Sequence, residues 1–215
     1  MYKKLIIFLV FLFSAHAQEK SPFVLLLGPS GTGKSTLIRH LKEIDSRFVY
    51  ISPYTTRELR PGETDKAHIS WEEMQDLDRK GQLLVINRIY DIYYATPKHS
   101  IDQALQDGNI PILDWPIDQM KVMIDHYSAC LCAIYIEPEN LETLKEHLSQ
   151  DGRDKEGKRL AAGEKELKRY YAGDYDCLIQ HKVVNKEGED RETAVLLYQL
   201  ISQTFCIEKD PCCRL

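Results

Sequence analysis

The sequence is short of several features that define common protein classes. Basic residues do not exceed acidic ones, 28 against 33, and the net charge of −5 argues against the basic surface that nucleic acid binding requires. The seven histidines and six cysteines show no zinc-ligand spacing. No internal repeat or low-complexity linker interrupts the chain. What remains is globular, with 43% hydrophobic and 28% charged residues.

A long apolar segment is also missing. The run Leu5–Phe13 is well below the roughly 20 residues that a transmembrane helix needs, so we expect no stable membrane span. Two lysines precede this run and an A-x-A ending at Ala17 follows it, which is typical of a secretory signal peptide. We therefore expect residues 1–17 to direct export and 18–215 to form one domain. An extra strand or an uncleaved interfacial anchor is the alternative, and with it a cytoplasmic protein.

One motif carries most of the functional information. The segment Gly28–Ser35 fits the phosphate-loop pattern G-x-x-x-x-G-K-[ST]. The apolar run Phe23–Leu27 before it predicts a buried strand, and Thr36–Leu41 after it begins a helical pattern. Strand, glycine loop and helix follow in the order that nucleotide phosphate binding requires.

The residue types in this loop fit a triphosphate. Glycines at 28, 31 and 33 let backbone N–H groups surround an anion, and the helix N-terminus adds a partial positive charge. Lys34 can reach the β- and γ-phosphates, and the Ser35 hydroxyl can bind Mg²⁺. The predicted nucleotide-binding residues are Gly28, Ser30, Gly31, Thr32, Gly33, Lys34, Ser35 and Thr36, with Ser35 as the metal ligand.

Apolar runs and helical patterns alternate along the chain. The runs predict strands at Phe23–Leu27, Phe48–Ile51, Ile110–Leu113, Leu131–Ile136 and Cys177–Ile179. The helical patterns lie at Ser35–Ile44, Trp71–Lys80, His99–Gln106, Ile117–Tyr127, Leu141–Leu148, Arg159–Tyr170 and Arg191–Phe205. This alternation predicts a three-layer α/β phosphate-loop fold, with a parallel sheet between helices. We expect an inserted acceptor-binding subdomain at about 53–98 and a lid at about 147–160.

A second cluster of charge follows the phosphate loop. In Thr55–Glu63, Arg57 and Arg60 lie three apart beside a Pro-Gly turn, and arginine suits two-pronged capture of a phosphate. Alone, this segment is more typical of a solvated loop.

Together, the two segments resemble the guanylate kinase family. G-P-S-G-T-G-K-S at Gly28–Ser35 and T-T-R-x-x-R-P-G-E at Thr55–Glu63 form a specific pair, and the resemblance extends from about Phe23 to Ser202. Further matches are Gly81–Leu84, Tyr93–Thr96, Ile112–Asp114, Ala133–Pro138, Arg159–Ala162 and Tyr175–Ile179.

The resemblance implies transfer of the γ-phosphoryl group of ATP to GMP, with Mg²⁺. Acceptor binding would fall to Arg57, Arg60, Tyr94, Thr96 and Asp114. Catalysis would fall to Lys34, Arg57, Arg60, Asp114 and Arg159, with Arg159 on the lid side of the transferring group. Phosphoryl transfer needs positioning and positive charge rather than a strong base, which suits this set.

Two departures from the family concern the acceptor. Val85 stands where the family has a guanine-reading glutamate, and a valine cannot accept from guanine N–H groups. The segment Thr64–Ser70 is shortened and has no tyrosine for the acceptor phosphate. Guanylate-kinase-like enzymes that phosphorylate ribose 1,5-bisphosphate share both features, so a sugar phosphate is the alternative acceptor.

Other departures concern the ATP side. The family's R-L-x-x-R-G at the lid base appears as His147–Gly152, without either arginine, and Arg153 is the nearest substitute for ATP binding. Pro116 replaces a second acid after Asp114, and His181 aligns with an asparagine near adenine. These changes leave a third alternative, a catalytically weak nucleotide-binding or protein-binding module.

Overall fold

The structure is a computed structural model that describes residues 22–205, apart from 60–62, 64–65, 90, 151–153 and 155–156. The strands are β1 (Phe23–Leu27), β2 (Phe48–Tyr50), β3 (Tyr54–Thr55), β4 (Ala67–His68), β5 (Leu83–Ile89), β6 (Ile92–Pro97), β7 (Ile110–Asp114), β8 (Leu131–Pro138) and β9 (His181–Asn185). The α-helices are α1 (Lys34–Ile44), α2 (Trp71–Arg79), α3 (Lys98–Gln106), α4 (Met120–Tyr127), α5 (Leu141–Gln150), α6 (Lys158–Tyr171) and α7 (Asp190–Phe205).

The main sheet confirms the predicted α/β class. It has five strands in the order β2-β7-β1-β8-β9, and every neighbouring pair is parallel. All the carboxyl ends therefore lie at one edge, which is where open α/β sheets bind their ligands.

Alternating side chains of the central strands build two cores, one on each face. In β1, Phe23, Leu25 and Leu27 face one core, while Val24 and Leu26 face the other. Helices α1 and α7 cover the second core, and α3, α4, α5 and α6 contribute to the first. The result is the three-layer arrangement of helix, sheet and helix that the alternating pattern predicted.

The chain also forms a second, smaller sheet. Four short strands, in the order β4-β3-β6-β5, lie between Tyr54 and Pro97 along the chain. One face of this sheet packs on α2 through a small core of Met74, Leu83 and Ala95. The helix begins with a capping box in which Ser70 and Glu73 exchange hydrogen bonds, and this fixes the point where it starts.

One predicted element was wrong in type, and one helix begins later than predicted. Cys177–Ile179 is not a strand: residues Asp176–Leu178 form a 3-10 turn, and the fifth strand of the sheet is β9. Because β9 is an edge strand, only Val183 of its five residues is buried, so it lacks a continuous apolar run. The helix predicted from Ile117 begins as a 3-10 turn before α4.

Several predictions lie outside the described residues. These are the signal peptide at 1–17, Arg60, Arg153 and part of the lid segment. Among the residues that the structure describes, no helix combines the length and apolar composition needed to cross a bilayer.

Candidate active site

The phosphate loop connects the end of β1 to the start of α1 and rests on the ends of two other strands. Gly28 has a φ of 118°, and a Cβ there would lie 2.3 Å from the Ile136 carbonyl oxygen of β8. Gly33 has a φ of 83°, and a Cβ there would lie 2.5 Å from Nδ2 of Asn185 on β9. Only glycine fits either position, so the loop backbone is pressed against the carboxyl edge of the sheet.

Lys34 is held inside this loop. Its Nζ donates to the carbonyl oxygens of Gly28 and Pro29, each at 2.6 Å. Burial lowers the pKa of Lys34, while the carboxylates of Asp114 and Glu166 oppose that shift. Asp114 is paired with Leu26, two residues before Gly28, and so lies at the edge of the sheet from which the loop leaves.

Helices α5 and α6 bring further polar groups to the loop. The Arg159 guanidinium donates from Nη2 to the Ser30 hydroxyl. Asp154 accepts from the backbone N–H groups of Arg159 and Leu160, at 2.7 and 2.8 Å. These N–H groups at the start of α6 would otherwise lack a partner within the helix. On α5, His147 Nδ1 lies 3.0 Å from the Gly31 carbonyl oxygen. The histidine at the lost lid arginine position therefore contacts the loop directly.

Glu166 is a site residue that the sequence analysis missed. It lies on α6, where the Tyr135 hydroxyl donates to its Oε1 at 3.1 Å. Burial raises the pKa of Glu166, and the nearby Lys34 opposes that shift. The spacing carried a signal, because Glu166 is three residues from the buried Gly163 and four from the buried Tyr170.

Asn185 is a second missed residue. It ends β9 and donates from Nδ2 to the Thr32 carbonyl oxygen at 3.1 Å and to Asp190 Oδ1 at 3.0 Å. His181, which the resemblance placed near a nucleotide base, instead begins β9 and bonds Thr204 at 2.8 Å. Parallel strands present their carboxyl ends at one edge, so the asparagine, not the histidine, meets the loop.

A second cationic group lies on the smaller sheet. Arg57 follows β3, and its two terminal nitrogens donate to the two carboxylate oxygens of Glu63 at 2.6 and 2.8 Å. Both side chains are largely buried, at 13% and 10% exposed. Hydrogen bonding to this carboxylate, and secondarily to the Tyr94 hydroxyl, raises the pKa of Arg57 above its ordinary value. Tyr94 is directly opposite Thr55, two residues before Arg57, so the predicted pair lies on neighbouring strands.

The strand register defines one polar face of this sheet. Thr55 is opposite Tyr94, Tyr94 is opposite Asn87, and Thr96 is opposite Val85. These five residues, which we call the polar face, alternate with residues that pack on α2. Thr96, a predicted acceptor-binding residue, is 4% exposed within it.

Asp114 ends β7 at the carboxyl edge of the main sheet. Its side chain is exposed and accepts a hydrogen bond from the Tyr50 hydroxyl at 3.0 Å. Ser35 is also exposed, in the first turn of α1. Within the described part of the chain, no three His, Cys, Asp or Glu side chains converge as a metal-binding group. A hydroxyl and a lone carboxylate still suit Mg²⁺, which keeps several waters and binds substrate phosphates.

Comparison with known proteins agrees with this geometry. The family model for guanylate kinase matches residues 20–196. Guanylate kinase of Helicobacter pylori is 33% identical over 179 residues, covering 80% of this chain and 84% of the relative. Guanylate kinase of Rickettsia bellii is 30% identical over 187 residues, covering 83% and 95%. The crystal structure of guanylate kinase from Anaplasma phagocytophilum, at 19% identity, aligns with a TM-score of 0.65 over 90% of this chain and 88% of that one.

The fold and the loop define the class, an α/β phosphate-loop phosphotransferase. Within that class, the extent of the matches shows that the chain belongs to the guanylate kinase family. It is therefore a kinase that uses ATP. Neither the sugar-phosphate kinase nor the protein-binding module is favoured by these comparisons.

Proposed function

We propose that this protein transfers the γ-phosphoryl group of ATP to GMP, giving ADP and GDP, with Mg²⁺ as cofactor. The observation that supports the proposal is geometric: Lys34 bonds the loop carbonyls, Arg159 bonds Ser30 of the loop, and Asp114 is paired with Leu26 just before it. Relatives named guanylate kinase, at 30 to 33% identity, support GMP as the acceptor.

On the donor side, Lys34 would exchange its bonds to loop carbonyls for bonds to phosphate oxygens. The carbonyl oxygens of Gly28 and Pro29 are acceptors of the same kind, so the ammonium is already oriented into the loop. Arg159 would turn from the Ser30 hydroxyl toward the transferring group. Cations placed there stabilise the charge that spreads over the equatorial oxygens in the transition state.

On the acceptor side, the contact with the Glu63 carboxylate supports phosphate binding by Arg57. Its two oxygens occupy both terminal nitrogens of the guanidinium, as two oxygens of a phosphate monoester would. We propose that the GMP phosphate displaces Glu63, with Tyr94 as a further donor and Arg60 as the second arginine. No general base is required, because this phosphate is already ionised at neutral pH.

Ser35 would hold Mg²⁺, and Asp114 would border it through water. Held there, the ion would supply positive charge against the phosphate oxygens. Arg153 would contribute to ATP binding from the lid. These roles of Ser35, Asp114 and Arg153 are the ones that the sequence analysis predicted for them.

An acceptor panel tests the proposal. We would measure ADP release, in a coupled assay with MgATP, for GMP, dGMP, AMP and ribose 1,5-bisphosphate. GMP should be the preferred acceptor, and Arg57→Ala should raise its KM by about 10- to 100-fold with the KM for ATP unchanged, as expected for a lost charged hydrogen-bond pair. Arg79→Ala, on the exposed side of α2, is the matched control. No preference for GMP would refute the proposed acceptor.

We also propose that residues 1–17 are removed on export. The basic, apolar and small-residue order of this segment supports it. N-terminal sequencing of the mature protein tests it, and an intact Met1 would contradict it.

A further inference from the structure

One buried side chain of the polar face has an unused hydrogen-bonding atom. Asn87 is 6% exposed, and its Oδ1 has no hydrogen-bond partner among the described residues. Native proteins pair nearly all such atoms, because an unpartnered buried acceptor is unfavourable. An exception of this kind needs a reason, and a ligand that supplies the missing partner is one.

The register places Asn87 beside the phosphate-binding residues. On β5 it is directly opposite Tyr94 of β6, and Tyr94 is in turn opposite Thr55, two residues before Arg57. Directly opposite residues on one face have Cβ atoms about 4.5–5.5 Å apart. The neighbouring Ile86 packs instead with the core around α2, so the two successive side chains of β5 face opposite sides.

The same face lacks the acid that the family uses on guanine. Val85 is two residues before Asn87 on β5 and is opposite Thr96. A valine makes no hydrogen bond, whereas a carboxamide has one acceptor and two donor hydrogens. Asn87 is therefore the side chain of β5 on this face that can make a paired hydrogen bond.

We propose that Asn87 recognises the base of the acceptor, a 6-oxopurine nucleoside monophosphate, in place of an acid at position 85. This inference rests on the proposed function. The amide oxygen accepts from the purine N1–H, and the amide nitrogen donates to O6. A carboxylate would accept from N1–H and from the 2-amino group of guanine. An amide engaged with N1–H and O6 leaves the 2-amino group without a partner on Asn87.

The chemistry gives a specific expectation for two acceptors. IMP has the same N1–H and O6 as GMP but lacks the 2-amino group. The wild-type protein should therefore use IMP with a kcat/KM within about threefold of that for GMP. Asn87→Leu, close in volume, should lower kcat/KM for both by about 10- to 100-fold through KM, the range expected for a lost bidentate pair on a base.

A second substitution should create a preference for GMP. Asn87→Asp replaces the donor to O6 by an acceptor, which can bind N1–H and the 2-amino group together. It should raise the GMP-to-IMP ratio of kcat/KM by about tenfold over wild type. Arg88→Ala, the exposed neighbour on β5, is the control and should leave both acceptors unchanged.

The fold of each variant is checked by thermal melting and by binding of MgATP. Asn87→Leu removes an unpartnered buried atom, so its Tm should not fall, and Asn87→Ala is a second variant with the same expected kinetics. If the wild type uses GMP and both variants keep its kinetic constants within twofold, the inference fails and the proposed function stands. If the wild type prefers GMP over IMP by more than 100-fold and Asn87→Leu keeps that ratio, the inference also fails. If the wild type uses neither purine, the proposed function itself fails.

Discussion

In the proposed function, the Lys34 ammonium is the charge expected to matter most for phosphate binding. In the part of the chain that the structure describes, its hydrogen bonds go to backbone oxygens and to Thr32 of its own loop. We expect Lys34→Ala to reduce kcat by at least about 10³-fold, the range found when a charge on the transferring phosphoryl is lost. The coupled ADP-release assay measures this, and melting confirms the fold. Lys42→Ala, exposed on the same helix, is the control; equal losses in both would contradict a specific role.

Glu166 gives a prediction about pH. Burial raises its pKa in the folded state, so the folded protein holds this proton more tightly than the unfolded chain. The stability that this provides is present below the ordinary pKa of glutamate and is lost as pH rises through the raised value. Glu166→Gln keeps an acceptor for Tyr135 without the charge. The Tm of this variant relative to wild type should therefore be more favourable at pH 8 than at pH 5.

Melting curves at both pH values, for Glu166→Gln and for Glu164→Gln as control, make the comparison. Glu164 is exposed on the same helix, so its substitution should show no such pH trend. A relative Tm of Glu166→Gln that falls between pH 5 and pH 8 would mean that attraction to Lys34 outweighs burial.

At the scale of elements, α6 is positioned by its contact with the phosphate loop. A Cβ at Gly163 would lie 3.3 Å from Pro29 Cβ and 3.3 Å from Leu144 Cδ2 of α5. Gly163→Val should push α6 outward at a cost of about 1–3 kcal/mol, typical of overpacking. Because Arg159 is one turn away on the same helix, its guanidinium should also leave the loop, with a loss of up to about 10²-fold in kcat.

Kinetics and melting of Gly163→Val and of Ala162→Val test this coupling. Ala162 is exposed on the same helix. Its valine variant therefore has the same lowered helix propensity of a β-branched residue, without the contact between α6 and the loop. If the two variants lose activity equally, α6 does not depend on this contact with the loop.

The sequence predicted the elements whose signal is local. The run Phe23–Leu27 predicted the central strand, and the glycine pattern after it predicted the phosphate loop, because both signals lie within one short segment. By contrast, β9 is an edge strand with one buried residue, so its sequence shows neither an apolar run nor a clear alternation of apolar and polar residues. Positions that depend on strand register could not be predicted from the sequence either. Asn185 reaches the loop, and Asn87 is opposite Tyr94, only because their strands pair with others.

In the whole molecule, the phosphate loop and Arg57 belong to different sheets. The loop rests on the main sheet between the two large cores, whereas Arg57 follows β3 of the smaller sheet, which packs on α2 through a third core and on the first core through Leu84 and Val85. Lys34 and Arg57 share no hydrogen-bond partner among the described residues, and residues without shared partners contribute almost additively to stability. Each ligand should therefore bind and stabilise the protein through its own set of contacts.

Ligand-induced stabilisation measures this independence. A ligand at about 100 times its Kd adds about 2.7 kcal/mol, which is about 5–10 °C in Tm for a domain of this size. We expect a shift of that size from a non-hydrolysable MgATP analogue and a similar shift from GMP. Arg57→Ala should lose the GMP shift and keep the ATP shift, and Lys34→Ala should do the reverse, so each variant is the control for the other. If either substitution removed both shifts, the two sites would form one cooperative unit, and the two ligands would not bind independently.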